Sequence, residues 1–207
     1  MCIRDRSHLA CSDEPKNTMN KHQLLEFNSL IKRLPRLTAS LANSGGIYLG
    51  KKFHFDLVRP GLALYGSVPG HLQNNLKNCI SLYGRVLQLR EVDKGQVIGY
   101  GGTYKLPKKS RIATIGVGYA DGYQRVLSGS STVFHRGFPL PLVGRISMDS
   151  ITVDISSLPD NNLKEGDFVE LLGKHFTIDQ AASLAQTVPY EMITGLGRRH
   201  YRSYNQI

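Results

Sequence analysis

Apolar residues near the start of the chain recur at the spacing of an α-helix. Between Asn20 and Leu34 they fall on one helical face, at Leu24, Phe27, Leu30, Ile31 and Leu34. Pro35 follows at once, and proline does not continue a helix. The pattern therefore predicts one amphipathic helix that ends before Pro35.

Two short apolar stretches after this helix are typical of strands. The first, 39–44, is rich in small residues and leads into the run Asn43-Ser44-Gly45-Gly46. The second, 55–58, is halted by Pro60 and Gly61. Strands that alternate with a helix are the unit of a parallel sheet. We predict that the first part of the chain belongs to such a sheet.

The hydrophobic pattern changes after about Gly66. Apolar residues alternate with polar ones, the period of a half-buried strand, at Ile151, Val153 and Ile155. A turn at 164–167 with apolar residues beyond it predicts a hairpin or meander. The second part is therefore predicted to be a separate β-rich domain.

One helix interrupts this β-rich part. Thr177 is a favoured N-cap, and Gln180 three residues later completes a capping box. The helix would bury a stripe of apolar residues at Ile178, Ala181, Ala182 and Ala185.

Composition fits a globular chain with a basic surface. The 207 residues are 41% hydrophobic and 20% charged, and 26 Lys and Arg against 16 Asp and Glu give a net charge of +10. A basic chain can bind nucleic acid. Here the charge is dispersed, with dense clusters at Lys51-Lys52, Lys108-Lys109 and 198–202, and the sequence carries no RNA-binding motif. A solvated basic surface is the favoured interpretation, and we expect no nucleic-acid partner.

Cysteine usage and hydropathy indicate a reducing compartment and no membrane partner. Cys2, Cys11 and Cys79 are odd in number and lack the spacing of a metal site. No apolar run approaches the roughly 18–20 residues that a membrane span needs. We therefore predict a cytoplasmic protein. Residues 1–6 lack both periodicity and the apolar core of a secretory signal, so we interpret them as a non-native leader.

Four glycine-containing runs follow one another along the chain. They are Val58-Arg59-Pro60-Gly61-Leu62-Ala63-Leu64-Tyr65-Gly66, Val97-Ile98-Gly99-Tyr100-Gly101-Gly102-Thr103-Tyr104, Gly116-Val117-Gly118-Tyr119-Ala120-Asp121-Gly122 and Val143-Gly144-Arg145-Ile146-Ser147-Met148-Asp149. In this order and at these spacings, they closely resemble alanine racemase, the pyridoxal-phosphate (PLP) enzyme that interconverts L- and D-alanine. The resemblance extends from near Ser7 almost to the end of the chain.

The resemblance implies a fold of class α/β plus β. Residues 7–66 would be the C-terminal part of a PLP-binding (β/α)8 barrel, and 67–207 the mostly-β C-terminal domain. The family's PLP-linking lysine stands in an N-terminal segment that this sequence does not contain. We therefore expect a C-terminal portion of the enzyme, inactive by itself. The intact bacterial enzyme would supply D-alanine for the peptidoglycan cell wall.

Tyr100 is the catalytic residue that the resemblance implies. Racemisation needs a proton donor or acceptor on each face of the α-carbon, and the family uses the PLP lysine on one face and a tyrosine on the other. A phenol has an ordinary pKa near 10, so nearby cations or hydrogen bonds must assist it. On the residues alone, an ordinary half-buried strand tyrosine is the alternative.

Other positions match the family's cofactor ligands. Those that match phosphate ligands are Ser44, Gly61, Leu62 and Tyr190. Arg59 matches the arginine that faces the pyridine nitrogen, and His8 the histidine that supports it. An arginine only donates hydrogen bonds, so it would keep that nitrogen unprotonated. Without the resemblance, glycines that form turns, a surface arginine and a loop histidine are the alternatives.

The substrate would lie against residues of the β-rich domain. Met148 matches a residue whose backbone amide meets the substrate carboxylate, and Tyr119 matches a tyrosine at the entrance, although a plain turn is its alternative. Asn43 and Asp149 would support their loops. In the family, Tyr100, Tyr119 and Met148 reach the partner subunit's active site, which implies a homodimer with shared sites.

Two alternatives to alanine racemase stay open at this point. One is a related racemase of broader substrate range, and the other is a non-catalytic basic β-domain that binds nucleic acid or a protein. The terminal run 197–202 departs from the more proline-containing ending of many relatives. We assign it no function and expect an edge strand and a solvated tail.

Overall fold

A computed structural model describes residues 4–35, 37–68 and 75–204. The chain divides into two compact units, Met1–Cys79 and Ile80–Ile207. The change of hydrophobic pattern at Gly66 thus precedes the division between the units. The assignment of 7–66 and 67–207 to two family domains stays a prediction.

The first unit contains a strand, a helix and a second strand. These are β1 (Arg4–Arg6), α1 (Thr18–Ile31) and β2 (Thr38–Ser40). β1 and β2 pair in parallel, so this part of the chain contains a parallel pair as predicted, but its second strand is Arg4–Arg6 and not 55–58. The helix buries Leu24 and Phe27.

Part of the six-residue leader lies within this sheet. Arg4–Arg6 form β1, and Met1 to Ile3 lie outside the described residues. That residues 1–6 are non-native stays a prediction.

The predicted strand at 39–44 is shorter than expected. β2 ends at Ser40, and Ser44 already begins the short helix α2 (Ser44–Tyr48). Asn43 is its N-cap and accepts a hydrogen bond from Gly46 N at 2.9 Å. The amide side chain of Asn43 satisfies a free backbone N–H at this helix start.

The strand predicted at 55–58 is wrong. Phe55 has a left-handed backbone with φ 51°, and Asp56 N and Leu57 N both donate to Ala39 O instead of forming a ladder. Asp56 Oδ2 also accepts from Ala39 N at 2.9 Å. Asp56 thus binds both backbone groups of Ala39, the N–H through its side chain and the C=O through its own N–H, and no strand forms here.

The second unit is built on antiparallel strands. In chain order these are β3 (Leu82–Val92), β4 (Val97–Ile98), β5 (Tyr104–Lys105), β6 (Ser110–Ile115), β7 (Thr132–His135), β8 (Phe138–Pro141), β9 (Ile151–Asp154) and β10 (Phe168–Leu172). Six of them form one sheet in the order β8-β7-β10-β3-β6-β9, while β4 and β5 pair with each other. Leu142, which follows β8, bridges to Val153 in β9. The two edges therefore meet, and the sheet is nearly closed into a barrel.

The predicted strand around Ile151 is confirmed, and its apolar residues Ile151 and Val153 point into the buried core. The hairpin or meander predicted around 164–167 does not form, although its turn does. Asp167 N does donate to Lys164 O at 3.1 Å, so the turn exists. However, β10 pairs with β3 and β7 rather than with β9. Burial in a closed sheet decides these pairings, not proximity in sequence.

The predicted helix after Thr177 is confirmed as α3 (Ile178–Leu184) with both hydrogen bonds of the capping box. All of its predicted stripe is buried. A second helix, α4 (Pro189–Gly195), was not predicted, although proline at a helix start is a recognised signal. None of the described helices combines the length and apolar character that crossing a membrane requires.

Candidate active site

Arg59 is held by neutral groups in the first unit. Its Nη1 donates to Ser40 Oγ at 2.6 Å and its Nη2 to Ser7 O at 2.7 Å. Burial, and then the charge of Arg6, lower the pKa of the Arg59 guanidinium. Among the described residues, Arg59 forms no ion pair with a carboxylate. The result is a partly buried cation whose positive charge is not neutralised.

His8 lies between Asn43 and Arg59. Asn43 Oδ1 accepts from Gly46 N, which orients its Nδ2 toward His8 Nε2, 3.2 Å away. Because Nδ2 only donates, His8 Nε2 is the acceptor of this contact. His8 Nδ1 lies 3.5 Å from Arg59 Nη2. The structure therefore brings together three of the predicted residues of this unit.

Ser44 is the centre of a second group of hydrogen bonds in the first unit. Its side chain is buried, and its Oγ accepts from Gly61 N at 3.0 Å and from Ala63 N at 3.2 Å. Leu62 between these amides is also buried. The Ser44 hydroxyl keeps its own O–H to donate, and together with backbone amides close by it is a group suited to an anionic oxygen.

The loops of Tyr119 and Met148 are joined by their backbones in the second unit. Tyr119 N donates to Ser147 O and Ala120 N to Met148 O, both at 3.0 Å. A Cβ on Gly118 would lie 2.3 Å from Met148 O. Only glycine lets the two chains approach so closely.

The loop of Tyr100 packs against the same segment. Gly99 has φ 79°, and a Cβ on it would lie 2.7 Å from Arg145 N. Arg145 Nη1 lies beside Gly101, next to Tyr100. The segment 143–149 therefore contacts the loops of both predicted tyrosines.

The side chains that these loops carry face outward. Tyr100 is 73% exposed, Met148 54% and Tyr119 43%. The Tyr100 hydroxyl forms no hydrogen bond with any residue in the described ranges. Three apolar or aromatic side chains thus form an exposed group on one set of loops, which is typical of a surface that contacts another molecule.

The terminal run departs from its prediction. Residues 196–204 contain no strand, and the run is not simply solvated. Arg199 Nη2 donates to Asp149 Oδ1 at 2.6 Å, and Arg199 Nε lies 3.3 Å from Asp121 Oδ1. His200 Nε2 lies 2.6 Å from Asp121 O. The tail therefore binds the loops that carry Tyr119 and Met148.

Tyr190 lies in the first turn of α4, in the second unit, whereas Ser44 and Gly61 lie in the first. Its assignment as a phosphate ligand stays a prediction.

The sequence analysis missed one residue beside Arg59 in the first unit, Ser40, and three beside the loops of Tyr100, Tyr119 and Met148 in the second, Asp121, Arg145 and Arg199. Ser40 is a polar residue at the end of a buried strand, which is the signal that could have found it.

Comparisons with known proteins place the chain in a family. A sequence model of the alanine racemase C-terminal domain matches residues 79–204, and one of the alanine racemase N-terminal domain matches residues 6–69. The chain belongs to the alanine racemase family. Alanine racemase of Brucella abortus is 49% identical over 212 residues, which cover 96% of this chain and 54% of the relative.

Solved structures agree with the fold. Alanine racemase from Bartonella henselae, with covalently bound pyridoxal phosphate, matches at a TM-score of 0.90 and 43% identity over 98% of this chain and 56% of that one. The biosynthetic alanine racemase of Pseudomonas aeruginosa matches at 0.89 and 36%, over 98% and 57%. The predicted fold class, part of a PLP-binding barrel followed by a β-domain, is confirmed. This chain spans about half the length of the curated relatives it matches.

Proposed function

We propose that this chain is part of a PLP-dependent racemase that interconverts L-alanine and D-alanine. The observation that carries the proposal is Arg59, a partly buried guanidinium that donates to the neutral Ser40 Oγ and Ser7 O. Such a group only donates, so a pyridine nitrogen that faces it keeps its lone pair. A ring held in this way is a weaker electron sink, which suits proton exchange without side reactions.

The residues of the first unit fit the cofactor. Ser44 Oγ and the Gly61 amide, already hydrogen-bonded to each other at 3.0 Å, would bind the phosphate, together with the Leu62 amide. Tyr190 of the second unit would add a hydroxyl. When bound, PLP supplies an electron sink for the charge left after the α-proton is removed.

His8 would support Arg59 by packing beside it, with His8 Nδ1 3.5 Å from Arg59 Nη2. Asn43 holds this ring through its Nδ2 and caps α2 through its Oδ1. The support is therefore built from the same residue that starts the helix of Ser44.

Tyr100 would move the proton on one face of the α-carbon. Its hydroxyl is exposed on a loop that cannot shift freely, because Gly99 packs against the backbone at Gly144 and Arg145. The Arg145 guanidinium beside this loop is a cation of the kind that assists a phenol. The family's lysine would serve the opposite face.

The alanine carboxylate would meet the backbone amide of Met148, with Tyr119 at the entrance. Ser147 N and Oγ both donate to Ser150 O, at 3.0 and 2.7 Å. This closes the turn that presents Met148 and Asp149. The Met148 amide and Tyr119 would therefore be held at fixed positions relative to each other.

We also propose a homodimer with shared sites in the cytoplasm of a bacterium, where the product serves the cell wall. The exposure of Tyr100, Tyr119 and Met148 supports the dimer, because a second copy would cover them. The two described cysteines, Cys11 and Cys79, are unpaired, as in a reducing compartment.

The proposal is tested by extending the coding sequence upstream and expressing the full-length protein with PLP. We expect a lysine within a Lys-Ala-Asn-Ala-Tyr-Gly-like run, and D-alanine formed from L-alanine. The 207-residue chain alone, measured in parallel, should form none. Racemisation of serine, lysine or arginine as well would identify a racemase of broader substrate range. A full-length protein that binds PLP but racemises no amino acid contradicts the proposal.

A further inference from the structure

The basic run near the C-terminus is the one motif that the proposed function leaves unused. Within it, Arg199 forms two ion pairs. Its Nη2 lies 2.6 Å from Asp149 Oδ1, and its Nε lies 3.3 Å from Asp121 Oδ1. A single guanidinium thus bridges two carboxylates from different loops.

One of the two carboxylates, Asp121, organises the loop of Tyr119. Asp121 Oδ2 accepts from Gly118 N at 2.9 Å, which closes the turn Tyr119–Asp121. Most of this carboxyl group is buried, with 12% of its side chain exposed. Arg199 therefore binds the free oxygen of a carboxylate whose other oxygen already fixes the turn.

The other carboxylate, Asp149, follows Met148 directly in the chain. Asp149 is more exposed, at 59% of its side chain. Among the described residues, Arg199 is its only ion-pair partner. Its position therefore depends on Arg199.

The bridge uses the shape of an arginine. Nε and Nη2 donate in different directions, so the two carboxylates are bound at once. A lysine at the same place carries one nitrogen on a flexible stem and cannot reproduce that geometry.

Neighbouring residues hold this arginine against the loops. His200 Nε2 lies 2.6 Å from Asp121 O. Arg202 Nη2 donates to Leu196 O at 3.1 Å and to Gly197 O at 3.0 Å, which ties the tail back onto itself. The tail is therefore folded around Arg199.

We propose that Arg199 is a positioning residue: it sets the loops of Tyr119 and Met148 relative to each other and so places the Met148 amide for the substrate carboxylate. This inference rests on the proposed racemase function. Arg199 touches neither substrate nor cofactor in this account.

The Arg199–Asp149 pair is largely exposed and contributes little to global stability, and the more buried Asp121 keeps its hydrogen bond from Gly118 N when Arg199 is replaced. Loss of the bridge should therefore change the site without unfolding the protein. Misplacement of a binding group by about 1 Å lowers kcat/KM by up to roughly 100-fold.

The test compares Arg199→Met with Arg198→Met in the full-length holoenzyme. Arg198 is exposed and forms no ion pair with any described residue, so the control removes the same charge one position away. For Arg199→Met we expect kcat/KM for L-alanine to fall by about 10- to 100-fold. Most of the change should lie in KM, because carboxylate binding acts before the chemical step. Arg199→Lys should recover only part of the loss.

Amide hydrogen exchange supplies a readout independent of turnover. Gly118, Tyr119 and Ala120 donate to groups whose positions Arg199 fixes. Their exchange should be faster in Arg199→Met than in Arg198→Met, at an unchanged melting temperature.

Equal KM and equal exchange in the two variants would overturn the role of Arg199, while an active wild-type enzyme would leave the racemase proposal intact. A large fall in melting temperature for Arg199→Met alone would also overturn it, because it assigns Arg199 a merely structural role. An inactive wild-type holoenzyme would instead contradict the proposed function.

Discussion

The two units present their candidate site residues in opposite ways. In the first unit, Ser44 is buried and Arg59 is partly buried, and both are bound to other groups of the same unit. In the second, Tyr100 and Met148 are exposed on loops whose backbones, not side chains, are fixed. Hydrogen bonds of buried polar groups organise the first site region, and close backbone packing organises the second.

This difference separates two tasks. A prosthetic group that stays bound suits a region whose polar groups are already oriented. Side chains that reach outward suit a surface that another molecule completes. The comparison therefore agrees with the proposal that the first unit holds the cofactor and the second serves a partner copy.

The largest expected effect concerns the outward-facing side chains. Tyr100→Phe in the full-length enzyme should lower kcat by about 10²–10⁴ in both directions, the usual contribution of a positioned acid or base. The absorbance of bound PLP should persist, because Tyr100 lies outside the residues that hold the cofactor. Near-normal turnover would make Tyr100 a surface tyrosine and remove the chemical role of this loop.

The next effect tests the backbone packing. Gly118→Ala adds a methyl group about where Met148 O lies, 2.3 Å from the ideal Cβ. We expect a loss of about 3 kcal/mol in the free energy of unfolding, together with a raised KM. Denaturant titration and steady-state kinetics measure the two changes. Gly197→Ala is the control, because no described atom lies within 4 Å of its added Cβ; a similar loss in both variants would show that packing at Gly118 is not special.

The smallest effect tests the buried hydrogen bonds of the first unit. Ser44→Ala leaves Gly61 N and Ala63 N without their shared acceptor, at a cost of about 2 kcal/mol in stability. PLP affinity should fall as well, measured by fluorescence titration. Ser183→Ala, on the exposed face of α3, should change neither. If Ser44→Ala bound PLP as tightly as the wild type, Ser44 would not be a phosphate ligand.

Local patterns predicted local structure. The capping box of Thr177 and Gln180 predicted α3 because both residues act within one turn of the helix. The partners of β10 could not be predicted, since closure of the sheet pairs it with strands far away in sequence. The strand predicted at 55–58 failed because Asp56 binds backbone groups of β2.

The candidate site shows the same limit. Tyr100 and Arg59 were found through the family resemblance, since an isolated tyrosine or arginine carries no chemical signal of its own. Arg199 was missed because its partner Asp149 lies 50 residues away along the chain. A charge run in sequence does not reveal which carboxylates it meets.

The central claim, that each active site combines the first unit of one copy with the second unit of another, is tested most directly by complementation. Full-length Tyr100→Phe and Arg59→Glu chains are co-expressed with different tags, and the mixed dimer is isolated. A glutamate at Arg59 lets the pyridine nitrogen be protonated and should slow racemisation in its own homodimer.

In the mixed dimer, one of the two sites would combine intact Arg59 from one copy with intact Tyr100 from the other. We predict about half of the wild-type activity per mixed dimer, well above either parent homodimer. Activity no greater than the mean of the two parents would show that Tyr100 serves the site of its own chain, and would contradict the account.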